Sequence, residues 1–115
     1  MINFACEEFS LDSIIKCGLG LTRTELIIMQ YFLKDTNKEC TTTTISKVLS
    51  LNLTTIQKAV KKLSDKKIIL RKQKNLQNGG YIYTYESNSK SEIRSILKSI
   101  IRTWSSNIEK KIDLW

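Results

Sequence analysis

The residues with the most to offer a ligand lie between positions 53 and 80. Lys58, Lys61, Lys62, Lys66, Lys67, Arg71, Lys72 and Lys74 stand there against Asp65 alone, so this stretch holds +7 of the chain's net +8. Residues 1–52 net −1 and residues 81–115 net +2. Charge that serves solubility is spread over a surface, whereas charge focused in one short stretch is the footprint of a polyanion contact. Among the cations stand Thr54, Thr55 and Gln57, and beyond them Asn75, Gln77 and Asn78. Hydroxyls and amides both donate and accept hydrogen bonds, while ammonium and guanidinium groups attract phosphate. The chemistry of this stretch is binding.

Catalytic chemistry is poorly provided for. With no histidine among 115 residues, imidazole acid–base work, His-activated nucleophiles and most zinc and iron sites are excluded. Glu7 with Glu8 and Asp35 with Glu39 read as solvated ends, and no glycine-rich phosphate loop is present. No enzyme activity, metal or cofactor is therefore expected. Cys6, Cys17 and Cys40 are odd in number and form no Cys-x-x-Cys pair. The reading is reduced thiols in a cytoplasmic protein, with Cys17 as small core filling and one bridge or an intersubunit link left open. Acidic Glu7 and Glu8 stand where a secretory signal would carry basic residues, and no apolar run of about 18 residues offers a membrane helix. A chain of this length, 41% apolar and 26% charged, has room for one domain with a real core.

Positioning the binding residues requires that core, and hydrophobic periodicity outlines it. Leu11 to Leu19 reads as a short helix, with Leu11, Ile14 and Ile15 on one side and Gly18 and Gly20 ending it. Thr22-Arg23-Thr24-Glu25 is a capping-box pattern opening a second helix to about Lys34. Leu26, Ile27, Met29, Tyr31, Phe32 and Leu33 make it apolar nearly all round, as befits the most buried helix. A polar connection over 35–39 follows. Ile45, Val48 and Leu49 predict a third helix over about 43–50. Asn52 suits the N-cap of a fourth, from Leu53 to about Lys66, with Ile56, Ala59, Val60 and Leu63 as its apolar stripe.

Ile68 to Gln73 and Tyr81 to Glu86 predict two strands of a hairpin, joined by a turn in which Asn78-Gly79-Gly80 supply positive φ. Ser89-Lys90-Ser91-Glu92 repeats the capping-box pattern and opens a final helix. On it Ile93, Leu97, Ile100, Trp104, Ile108 and Ile112 recur at steps of three and four, with Ile96 and Ile101 beside them.

This order predicts a mainly α fold with a small β-hairpin, a winged helix-turn-helix. The DNA-binding unit is expected over 1–88, with its recognition helix over about 53–66 and its wing over about 68–86. A C-terminal helix over 89–115 is expected to dimerise. The second helix of a helix-turn-helix normally lies in the major groove. Removing the apolar stripe from 53–66 leaves Thr54, Thr55, Gln57 and Lys58 for base edges, and Lys61 and Lys62, a turn later, for phosphate. On the wing, Arg71, Lys72 and Lys74 with tip residues Asn75 and Asn78 are expected at the backbone or minor groove. Alternation sets Arg71 and Gln73 on one side and Lys72 and Lys74 on the other.

The stretch from Gly20 to about Lys111 resembles the short archaeal winged-helix regulators grouped as TrmB-like and near the MarR family. The segments that carry the likeness are Gly20-Leu21-Thr22-Arg23-Thr24-Glu25-Leu26, then Leu53 through Leu63, then Ile68-Ile69-Leu70-Arg71-Lys72, and last Asn75 through Tyr85. The Gly-Gly-Tyr-x-Tyr-x-Tyr wing is the most specific of them. The resemblance implies a homodimeric transcriptional regulator with double-stranded DNA as partner. It would put Thr54, Thr55, Gln57 and Lys58 at the groove, and Arg71 with the wing tip on the backbone. Larger TrmB-like proteins append a ligand-binding domain for which this length leaves no room, which counts against a sugar-type effector.

The stripe of Ile93, Leu97, Ile100, Trp104 and Ile108 outruns what so small a core can cover. Two such helices paired about a two-fold axis would bury it and space two recognition helices near one DNA turn. The alternative is a winged-helix interaction module in a transcription or RNA-processing assembly; such a module need not be basic, and the focused charge counts against it.

Overall fold

Every helix among the described residues begins where a side-chain oxygen meets a backbone N–H that would otherwise lack a partner. The computed structural model describes residues 1–35 and 38–115, so Thr36 and Asn37 of the expected polar connection lie outside the described residues. Ser10 caps α1 (Leu11–Leu19), Thr22 caps α2 (Arg23–Lys34) and Thr41 caps α3 (Thr42–Leu49). Asn52 caps α4 (Leu53–Asp65) and Ser89 caps α5 (Lys90–Asp113). At α2 both halves of the capping box close, the Glu25 N–H donating to Thr22 Oγ1 at 3.1 Å and the Thr22 N–H to Glu25 Oε1 at 2.8 Å. At α5 only one half forms, because the Ser89 N–H donates to Asn88 Oδ1 instead.

Two antiparallel hairpins complete the fold, β1 (Ile2–Phe4) with β2 (Glu7–Phe9) and β3 (Ile69–Asn75) with β4 (Tyr81–Ser87). The first of them has no counterpart in the sequence reading, since strands of three residues are too short for alternation to register. On the other side of β4, Cys40 adds one residue of pairing through two 2.8 Å bonds with Tyr85. The turn closes at Gly79 and Gly80, with φ of 90° and 78°; Asn78 does not share the positive φ expected of it.

The core forms where α2, α3, α4, the start of β3 and the first turns of α5 converge. Phe32, Ile28, Met29, Ile45, Ile56, Val60, Leu63, Ile68 and Ile69 are all within 2% of full burial. Several expectations need correcting. Gly18 does not end α1 but lies within it, where a Cβ would stand 3.3 Å from Ile100 Cγ2; its small size lets α5 pack close. Cys17 is exposed, and Cys40 is the core thiol, with its Sγ 3.7 Å from the Tyr31 hydroxyl. Val48 and Ile27 face solvent, so α3 and α2 each bury a narrower face than their composition implied. Ile93 lies in the chain's own core rather than on a free stripe. Leu97 and Ile100 are packed against that core, whereas residues 101–115 are exposed throughout.

Lys62 fixes α4 on this core. Its Nζ donates to the Gly20 carbonyl, at the left-handed residue that terminates α1, and at 3.0 Å to Glu25 Oε1, the same oxygen that caps α2. One ammonium thus ties three helices. Burial pushes the Glu25 carboxyl up, but the Thr22 backbone N–H and Lys62 outweigh it and hold the group below its ordinary value. A carboxylate so depressed stabilises the fold above its unfolded-state pKa, about 4.3, and loses that contribution as pH falls through the lowered folded value.

Lys62→Met, which keeps the stem and removes the charge, is expected to cost on the order of 1 kcal/mol at neutral pH in urea unfolding. It should also flatten the loss of stability between about pH 5 and 3. Unchanged stability across that range would show that the tie contributes nothing.

Candidate nucleic-acid interface

With Ile56, Ala59, Val60 and Leu63 turned inward, helical geometry decides what α4 shows to solvent. Thr54, Gln57, Lys58 and Lys61 fall at i, i+3, i+4 and i+7, one continuous outward row, and all four are exposed. Among the described residues, no hydrogen bond or ion pair engages the side chains of Gln57, Lys58 or Lys61. Asn52 Oδ1 accepts from the Thr54 N–H at 2.8 Å, and Thr54 is exposed at the helix start. Two residues expected on this face are placed differently. Thr55 is half-buried at its flank, and Lys62 is committed to Gly20 and Glu25.

The wing is paired so that Arg71 stands opposite Tyr85, Lys72 opposite Thr84, Gln73 opposite Tyr83, Lys74 opposite Ile82 and Asn75 opposite Tyr81. Facing partners share a side of the sheet, so the two sides differ in character. One carries Lys72, Lys74 and Glu86. Here Lys72 Nζ lies 2.6 Å from Glu86 and 3.5 Å from Glu39, and Lys74 also pairs with Glu39. The Glu86 bond, followed by its charge, raises the Lys72 ammonium above its ordinary value. The Lys74 bond likewise takes the lead in holding Glu39 below its own. The other side carries Arg71 and the tyrosines, with the Arg71 guanidinium 4.4 Å from the Tyr83 ring centre and Tyr81 edge-on to Tyr83 at 5.3 Å. Asn75 ends β3, and Asn78 lies exposed at the tip.

An open depression of about 350 Å³ lies between Gln57 of α4's outer row, the start of α3 and β4 of the wing. Thr41, Thr42, Thr43, Gln57, Tyr83 and Tyr85 are among the residues that line it. The acids Glu39 and Glu86 and the exposed ring of Tyr83 were missed as site residues. Tyr-x-Tyr-x-Tyr alternation would have put the three rings on one side, and the strand register would have set Glu86 diagonal to Lys72. Glu39 lies more than thirty positions away in sequence and gave no such signal.

Of the residues expected to pair two copies, Trp104 and Ile108 are exposed along with Ile101 and Ile112, while Ile93, Leu97 and Ile100 serve the chain's own core. Among the described residues no cluster of three or more metal-ligating side chains occurs, and no helix is long and apolar enough to cross a membrane.

This architecture is shared with proteins of known structure. A possible transcriptional regulator from Methanosarcina mazei Go1 superposes with a TM-score of 0.93 at 41% identity, over 100% of this chain and 96% of that one. The ST1889 protein of the thermoacidophilic archaeon Sulfolobus tokodaii has the same fold at 19% identity, with a TM-score of 0.68 over 84% of this chain and 92% of its own. By sequence, the uncharacterized protein MJ1503 of Methanocaldococcus jannaschii is 26% identical over 113 residues, 98% of this chain and 84% of that protein. The fold is of the winged-helix regulator type, and the family shown is not the TrmB-like or MarR-like one that the sequence resembles. The family model that matches, over residues 8–111, is the DnaD N-terminal domain, and it is to this family that the chain belongs.

Proposed function

We propose that this protein is a sequence-specific, double-stranded DNA-binding transcriptional regulator that acts as a homodimer and works by binding rather than catalysis. The observation that carries the reading is the unengaged row of Thr54, Gln57, Lys58 and Lys61, held outward by a buried stripe beside a basic wing. The row suits the major groove: Thr54 and Gln57 at the edges of bases, Lys58 at guanine or phosphate, and Lys61 at phosphate. Arg71 and the wing tip, Asn75 and Asn78, suit the backbone or minor groove. Support also comes from the Methanosarcina mazei relative, whose description as a possible transcriptional regulator accompanies 41% identity.

Homodimerisation rests on the exposed row of Ile101, Trp104, Ile108 and Ile112, which runs over about 20 Å of helix beyond the core. A second copy laid against it about a two-fold axis would cover the same row on both chains.

A library selection for bound duplexes, followed by anisotropy titrations, tests the reading. Lys61→Ala and Arg71→Ala are each expected to weaken binding to all sequences and to reduce the salt slope by about one. Gln57→Ala should relax preference at one base pair, at a cost of about 1–3 kcal/mol there. A duplex interaction that is absent or indifferent to salt would refute the assignment.

Glu39→Gln removes the acid that engages Lys72 and Lys74. It is expected to raise affinity for non-specific duplex and to steepen the salt dependence, since Lys74 becomes available to phosphate while Lys72 keeps its Glu86 partner. An unchanged slope would mean that Lys74 stays clear of DNA. For the dimer, Trp104→Glu is expected to convert a two-copy species into a monomer in analytical ultracentrifugation with the helical signal retained. A wild-type chain that sediments as a monomer at micromolar concentration would remove the dimer from the proposal.

A further inference from the structure

We infer that the Arg71 side of the wing is a stacking platform for an unpaired strand of DNA. This rests on the reading of that face as nucleic-acid-binding and extends it to a different substrate form. The alternation of β4 brings Tyr81, Tyr83 and Tyr85 to one side of the hairpin. Tyr85 is accounted for by the fold: it is half-buried against the core and its backbone pairs with Cys40. Tyr81 and Tyr83 are not, remaining 54% and 37% exposed on the half of β4 nearest the turn, outside the core.

These rings form an ordered strip together with the guanidinium. Tyr81 meets Tyr83 edge-on, and Arg71 lies over the Tyr83 face. A planar guanidinium held against an aromatic ring leaves its own outer face free to stack on a further planar group. In duplex DNA the faces of the bases are covered by their neighbours, and the backbone offers only sugar and phosphate. An unpaired strand has free base faces, and aromatic and guanidinium planes take them with little regard to sequence.

Charge selects a nucleic acid over an apolar peptide as the occupant. Residues 53–80 hold +7 of the chain's net charge, and Lys58 and Lys61 are exposed on the same helix as Gln57, which shares a depression with Tyr83. The depression of about 350 Å³ between α4 and the wing, shared by Gln57 and Tyr83, sets an amide beside the platform where the edge of a stacked base would come.

The test uses the full chain and three fluorescein-labelled probes: an oligothymidine single strand, an abasic strand of the same length, and a mixed-sequence hairpin duplex. Wild-type protein is expected to bind the oligothymidine on the order of tenfold more tightly than the abasic strand, because the abasic strand keeps the phosphates and loses the faces. Tyr83→Ala should weaken oligothymidine binding on the order of tenfold while leaving the abasic and duplex affinities within about threefold. Tyr83→Trp, which restores a π face, should recover it, with circular dichroism showing both variants folded. Duplex binding without oligothymidine binding would overturn the platform and leave the duplex reading standing. An equal loss on all three probes in Tyr83→Ala would also overturn it. Failure to bind any probe would remove the duplex reading and the platform together.

Discussion

The burial of one stripe of α4 sets what the rest of the surface can do. Ile56, Ala59, Val60 and Leu63 are between 0 and 1% exposed, and burying each of the larger three is worth about 1.5–3 kcal/mol. Against several kilocalories from that stripe, the Lys62 tie contributes on the order of one. The ion pair therefore does not hold the helix down. It adds a directional bond to the orientation that the stripe already sets, an ammonium joined to both the α1 terminus and the α2 cap. A rotation by one residue, about 100°, would carry Gln57 and Lys61 off the outer row. The tie and the stripe together make the row a fixed feature of the fold.

Formal charge overstates what α4 and the wing offer a polyanion. Of the eight cations in 53–80, Lys62, Lys72 and Lys74 are engaged by Glu25, Glu39 and Glu86 among the described residues. These engagements differ in kind. The wing lysines are half-exposed, and ion pairs in solvent are weak and screened by salt, so phosphate can compete for them. Lys62 faces a Glu25 side chain only 14% exposed and also satisfies a backbone carbonyl, so releasing it would leave a half-buried acid without its cation. Lys62 accordingly belongs to the scaffold, and Lys72 and Lys74 to a reserve whose availability Glu39 and Glu86 govern.

Much of this was legible in the residues. The helix starts announced themselves through Thr22 with Glu25, Asn52 and Ser89, because capping is a local interaction that needs only a few consecutive side chains. The hairpin was readable from Gly79-Gly80 and the alternation that follows. What failed was whatever depends on distant neighbours. Cys17 and Cys40 are indistinguishable by type, and only the approach of β4 and Tyr31 buries the second. Gly18 read as a helix terminator, since nothing local shows that Ile100 will approach it. Lys62 looked like its neighbour Lys61, yet one step around a helix separates a cation at a junction from one in solvent. Periodicity put Thr54, Gln57, Lys58 and Lys61 on the exposed face but Thr55 and Lys62 with them, since it fixes a face but not what lies across from its edge.

The final helix shows the same limit most sharply. Ile93, Leu97, Ile100, Trp104 and Ile108 form one unbroken stripe, and periodicity has no means of marking where the chain's own core ends. In the structure the boundary falls just after Ile100, whose close approach to Gly18 is among the last contacts before the exposed tail. The first turns of α5 are thereby fixed to α1, and α1 is fixed to α4 through the Gly20–Lys62 bond. The tail is a continuous extension of that anchored segment, part of a molecule 63 Å long and about 24 Å across. Trp104 thus stands on a helix whose other end is tied, through α1, to α4. In the proposed dimer, the crossing of two tails would then set the separation of two recognition helices without any further contact between the winged units, and half-site spacing on DNA becomes a property of α5 rather than of the wing.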